Sequence, residues 1–276
     1  MKKYIFFAVH ALVVFTLFGC VNNFNQVYKS SDISYKYEFA KEYFVRGKYT
    51  QAVFLLQDVV LAMKGTANSQ ESLYLLAVAE YNSKEYEGAM QFFQKYYITY
   101  PKGTYAEECA YFIGESLYQG TPETQLDQSS TFTAMEAYQT YLEAFPGGKY
   151  EEQAQQRLID LQEKIIRKEY YSAKLYFNLG SYFGNCTSGG NNYEACIITS
   201  QNAIKDFPYS NLREDFAILI MKSKFQLAEQ SIESKQLERY RDAEDECYGF
   251  INEYPDSDER KLAERYIEIC KKHTRD

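Results

Sequence analysis

The clearest chemical signal in the chain sits at Cys20. Lys2 and Lys3 precede an apolar run from Tyr4 to Phe18, and Leu17-Phe18-Gly19 leads directly into the cysteine. A basic start, a short apolar stretch and a small residue before the cut make an export signal over 1–19, not a spanning helix. Leu three positions before a cysteine and Gly one before it form the pattern of a bacterial lipidation signal. There the thiol takes the lipid and the cysteine becomes the first residue of the mature protein. Phe18 is bulkier than such sites usually carry, and the alternative is a plain export signal with an incidental cysteine. A multiply acylated cysteine holds a protein to a leaflet stably, where one acyl chain is marginal.

Other reactive side chains are few. Cys109, Cys186, Cys196, Cys247 and Cys270 include no Cys-x-x-Cys pair, which makes a poor disulfide framework and a poor zinc site. Cys109, Cys196, Cys247 and Cys270 read as buried thiols acting as small hydrophobes. Cys186 lies in the Gly184 to Asn192 loop, and an oxidising compartment leaves open its pairing with Cys196 across that turn. His10 leaves with the signal, so His273, near a fraying end, is the only histidine of the mature chain. Histidine-activated nucleophiles and nearly all zinc chemistry therefore lack a partner, and neither metal nor cofactor is expected. The glycines around Gly189 lack the spacing and the following Lys-Ser/Thr of a phosphate cradle. Glu244-Asp245-Glu246 shares a helix with Arg239 and Arg241 and reads as a solvated face. A formal charge of −8 without a basic block argues against nucleic acid as a partner. These residues point to a binding protein and not to an enzyme.

The elements around these residues come from one repeated unit. Tyr86, Ala89, Phe93 and Pro101 set it out: an aromatic opens a helix, a small residue follows three positions later, and proline stops it. Tyr193, Cys196 and Pro208 repeat it, as do Tyr240, Ala243 and Pro255, with fifteen residues from aromatic to proline each time. Looser copies stand at Thr131, Ala134, Tyr138 and Pro146, and at Tyr49, Ala52 and Leu56, where Lys64 takes the proline's place. A preceding helix carries Phe39-Ala40, Leu76-Ala77, Ile113-Gly114 and Leu179-Gly180, whose small member lets paired helices approach closely. The pattern predicts an all-α solenoid of about five tetratricopeptide-like hairpins.

Proline spacing locates the additions to the period. A polar loop from Gly120 to Ser130 widens the third hairpin, and a helical stretch from Tyr150 to Lys168 precedes the fourth. Asp256-Ser257 is an N-cap signal for a terminal helix from Glu259 to about Lys272, which would close the solenoid's end. The expected organisation is a signal over 1–19, a flexible lipidated tether over 20–32, repeats 1–3 over 33–146, and repeats 4–5 with connecting and capping helices over 147–276. Twelve residues of such coil would have an end-to-end distance of about 20 Å.

Tyrosine is unusually frequent, at 28 residues, with no tryptophan. In tetratricopeptide geometry the first helix of each pair lines the concave face. That would present Tyr37, Lys41 and Phe44 from the first repeat and Tyr74, Val78 and Tyr81 from the second, an aromatic wall suited to an extended or helical peptide. The competing reading packs these tyrosines between neighbouring repeats.

The aromatic-proline repeat ends Tyr100-Pro101, Phe145-Pro146, Phe207-Pro208-Tyr209-Ser210 and Tyr254-Pro255-Asp256-Ser257, with Cys20 and the order of insertions, resemble the BamD family of outer-membrane β-barrel assembly lipoproteins. The resemblance covers essentially the whole mature chain. It implies a scaffold whose N-terminal repeats receive unfolded outer-membrane proteins and whose C-terminal repeats, here about Tyr193 to Lys272, hold a barrel-forming BamA-type subunit. It also implies an outer-membrane lipid anchor facing the periplasm, in keeping with Val21-Asn22 after the cysteine. The alternative is a tetratricopeptide scaffold lipoprotein for another envelope complex, such as cell division or peptidoglycan tethering.

Overall fold

The structure is a computed structural model that describes residues 24–180, 182 and 191–274. Cys20, Cys186 and the expected signal lie outside the described residues. Within them the regular elements are helical: α1 (Ile33–Val45), α2 (Tyr49–Ala62), α3 (Ser69–Asn82), α4 (Tyr86–Thr99), α5 (Ala106–Gln119), α6 (Ser129–Ala144), α7 (Glu151–Leu179), α8 (Asn192–Asp206), α9 (Arg213–Glu229), α10 (Glu233–Glu253) and α11 (Arg260–Thr274). None is long and apolar enough to cross a membrane among the described residues. Helices that follow one another pack on one another in α1 to α6 and again in α8 to α11, the pattern of a helical-hairpin solenoid. There are two compact units. The first holds α1 to α6 and α7 to Leu158; the second holds Glu123–Asp127, α7 from Ile159, and α8 to α11.

The repeat residues do what their spacing asks. Tyr49 and Tyr86 are the first residues of α2 and α4. The small residue three positions on, Ala52, Ala89, Ala134, Cys196 and Ala243, is buried in all five copies. Facing it across a hairpin, Ala40 and Ala77 are also buried, and Gly114 lies against the ring of Tyr138, whose carbons a Cβ there would meet at 2.9 Å. Close helix approach thus rests on residues too small to hold the helices apart.

Two expected features differ. The stretch from Tyr150 and the first helix of the fourth repeat are one continuous helix of 29 residues, because neither glycine nor proline interrupts 151–179. Nor is 24–32 free coil. Residues 24–28 form a helical turn with Val27 fully buried, Phe24 edge-on to Tyr43 at 5.8 Å and Tyr28 edge-on to Phe54 at 6.5 Å. Asp32 then caps α1 by accepting the Tyr35 N–H at 3.0 Å. Val27 and Phe24 find an apolar seat on the first hairpin that no periodicity within so short a stretch could announce.

The four aromatic-proline connectors share one backbone turn but fill it in two ways. After Pro208 and Pro255, Ser210 and Ser257 accept the N–H of Leu212 at 3.1 Å and of Glu259 at 3.2 Å, so Ser257, expected to cap the terminal helix, instead bonds within the turn that leads into α11 at Arg260. After Pro101 and Pro146 glycine replaces serine, and a buried tyrosine hydroxyl from the preceding helix takes over. Tyr96 accepts the N–H of Tyr105 at 3.2 Å, and Tyr141 that of Tyr150 at 3.0 Å. The glycine is required: a Cβ at Gly103 would lie 2.6 Å from the Tyr96 hydroxyl, and at Gly148 2.8 Å from that of Tyr141. Ala203 and Phe250, which occupy the tyrosine's place in the other pair, have no hydroxyl. Tyr96→Phe should therefore cost about 1 kcal/mol by orphaning the Tyr105 N–H. Gly103→Ser alone should cost more, and the double substitution less than Gly103→Ser, because it rebuilds the serine arrangement. Urea midpoints of the four proteins check the order.

The four cysteines within the described residues are free and fully buried, as expected for small hydrophobes. Burial pushes Cys247 up to about 12 and Cys270 up to about 11, so their thiols stay protonated. Cys196 packs with Ala173, Ala203 and Phe216, and Cys186, its expected partner, lies outside the described residues.

Candidate functional site

The six residues expected to line a peptide-binding wall come from α1 and α3, which pack on each other, but they are not equally available. Tyr37 is only 2% exposed; desolvation first, and the Glu71 carboxylate second, raise its pKa above the ordinary phenol value. Tyr74 stacks on Tyr105 at 4.0 Å and donates to Glu108 at 2.7 Å, and Tyr81 meets Tyr86 and Phe112 edge-on at 5.5 and 5.2 Å. These three tyrosines tie neighbouring helices together. Lys41 lies over the Tyr37 ring at 4.5 Å and pairs with Glu38 at 2.8 Å, while Phe44 packs edge-on to Tyr49 at 5.5 Å. Lys41, Phe44, Tyr74, Val78 and Tyr81 all keep part of their surface. A shallow depression beside them is lined by Glu38, Phe39, Lys41, Glu42, Val45 and Arg46.

Farther along the same unit the structure brings together a group that no repeat pattern marks. Glu115 of α5 is buried and accepts two hydrogen bonds from Arg157, at 3.0 and 2.9 Å. Tyr138 of α6 donates to it at 2.8 Å, Gln119 at 3.1 Å and Tyr111 at 3.2 Å. The Arg157 guanidinium also lies over the Tyr118 ring at 4.2 Å. Burial alone would raise the pKa of Glu115, but Arg157, Tyr138 and Gln119 outweigh it and hold the carboxylate below its usual range. A charge this well satisfied is a brace joining α5, α6 and the first turns of α7. An acidic residue directly after the small Gly114, on the side of α5 that the repeat buries, is the one sign of it in the sequence.

A second feature beyond the repeat pattern is a groove of about 480 Å³ over α5, between α4 and α6, lined by Met90, Tyr97, Ile98, Ile113, Leu117 and Ala137 among others. In the second unit a cleft of about 400 Å³ lies between α7, at Ile159 and Ile166, and the Pro208 connector, whose Tyr209 is almost wholly exposed. The inserted loop also has a local partner there: Lys168 of α7 donates to the Leu126 carbonyl at 2.6 Å. Among the described residues no group of three or more His, Cys, Asp or Glu is placed to hold a metal ion. The groove over α5 is mainly apolar, whereas the depression beside Lys41 and the cleft at the Pro208 connector mix apolar with charged side chains.

Comparison with known proteins bears on the same region. A family model described as "Outer membrane lipoprotein" (YfiO) matches residues 30–187, which run from just before α1 to beyond the end of α7. Outer membrane protein assembly factor BamD of Pasteurella multocida (strain Pm70) is 23% identical over 192 residues, covering 64% of this chain and 71% of that protein. The family match takes in the first three hairpins, the Glu115–Arg157 brace and the long helix, more than half of the chain, and this protein belongs to the BamD (YfiO) family of outer membrane lipoproteins.

Proposed function

We propose that the protein is a non-enzymatic scaffold of the outer-membrane β-barrel assembly machinery, anchored in the outer membrane by lipid on Cys20 and facing the periplasm. The observation that carries this reading is the family match over 30–187, which spans the first three helical hairpins and the long helix α7. In this reading the N-terminal repeats receive unfolded outer-membrane proteins. The partly exposed Lys41, Phe44, Tyr74, Val78 and Tyr81 offer side chains for that contact, whereas the buried Tyr37 shapes the wall from behind. The region from Tyr193 to Lys272 holds the barrel-forming BamA-type subunit.

Affinity purification through a C-terminal tag, from gently solubilised membranes, tests the assignment. A large barrel-forming assembly subunit should be recovered at near-equal amount, and depletion of the protein should lower the level of outer-membrane barrels. Recovery of division or peptidoglycan-bound proteins without that subunit would move the protein to another envelope complex.

A further inference from the structure

The docked turn at 24–28 changes where the first hairpin must sit. The turn runs from Phe24, against Tyr43 near the end of α1, to Tyr28, whose ring lies 5.5 Å from the Lys36 ammonium near the start of α1. It is therefore antiparallel to α1, and its first residue emerges beside the α1–α2 turn, Arg46-Gly47-Lys48. Lys48 closes the contact, 5.8 Å over the same Tyr43 ring.

Phe24 stands only four positions after Cys20. Fully extended, that stretch reaches about 14 Å. A free tether over 20–32 would let the whole repeat body wander, but a docked one ties this tip to the lipid within about a headgroup layer and one screening length. The tip has the composition for that place. Val45 is 85% exposed, an unusual exposure for a valine at a helix end, and Arg46 and Lys48 flank it in a chain whose net charge is −8. Arg46 pairs with Glu42 at 2.6 Å yet stays largely exposed. Glu38 and Glu42 line the depression on the other side of Val45, so the tip itself presents an exposed apolar side chain followed by two cations, a pairing suited to the boundary between acyl chains and anionic headgroups.

We infer that the α1–α2 tip, Val45, Arg46 and Lys48 with Phe24, is a second membrane contact that rests on the phospholipid leaflet holding the Cys20 anchor and sets the direction in which the repeats leave the membrane. This rests on the lipoprotein reading of Cys20.

The absence of tryptophan makes the test direct. Full-length lipidated V45W is reconstituted in phosphatidylethanolamine–phosphatidylglycerol vesicles carrying bromine-labelled acyl chains, beside L61W as control. Leu61 is 75% exposed at the other end of α2, about 18 Å along the helix from the tip. The V45W emission should shift to shorter wavelength and be quenched several-fold more than that of L61W. Equal quenching in protein that floats with the vesicles would overturn the contact while leaving the anchor intact. Failure to float, with wild-type helicity retained, would overturn the lipoprotein reading and the contact with it. Co-purification of an assembly subunit is a separate readout, so neither result can be confused with failure of the scaffold assignment.

Discussion

Arg157→Met should destabilise the protein by about 3 kcal/mol in urea denaturation, because it leaves the Glu115 carboxylate buried without its cation. Tyr138, Tyr111 and Gln119 would still donate to it, but neutral donors do not replace a bidentate guanidinium. Glu115→Leu combined with Arg157→Met should recover part of the loss while leaving the Tyr138 hydroxyl without an acceptor, a residual cost of about 1 kcal/mol. The pH dependence separates this from simple loss of packing. In the wild type the folded carboxylate titrates below its ordinary value, so its contribution is complete above about pH 4.3 and is lost as pH falls through the lowered folded pKa. In Arg157→Met burial dominates and the folded pKa rises above the unfolded one. The Glu115 contribution to the slope of stability against pH should then reverse sign relative to the wild type.

Gly114→Ala should cost about 2–3 kcal/mol, at the upper end of what one added methyl does in a packed core. The new carbon would stand 2.9 Å from two ring carbons of Tyr138, and that ring cannot retreat without drawing its hydroxyl from Glu115, 2.8 Å away. Gly249→Ala is the internal control. That glycine lies within α10, where an added methyl would meet nothing inside 4 Å, so the same substitution should stabilise by about 0.5–1 kcal/mol. Thermal or urea unfolding of the two variants should shift in opposite directions.

The hairpins are legible in the sequence because their punctuation is local. Proline and an aromatic at fixed spacing mark the ends of α4, α6, α8 and α10, and the small residue after each opening marks a close helix contact. What is illegible depends on residues far apart in sequence. Glu115 and Arg157 are separated by 42 positions and belong to different repeats, so no window on one helix could pair them. Val27 and Phe24 read as parts of a polar tether because what buries them is the first hairpin. Tyrosine roles are hard to assign for the same reason. The repeat register places Tyr74 and Tyr81 on the first helices, but Tyr105 and Phe112 in the next repeat take up their ring faces and edges.

The two ways of filling the connectors restrict how such a chain can change. A Gly103→Ser step taken first meets a clash with the Tyr96 hydroxyl, and loss of the hydroxyl taken first strands the Tyr105 N–H. Each single step carries a cost that the other residue's change relieves, so the tyrosine and the glycine should change together. Exchanging one connector type for the other would therefore require changing a helix residue and a connector residue together, and a library that varies one position at a time would score the other solution's residues as unfavourable.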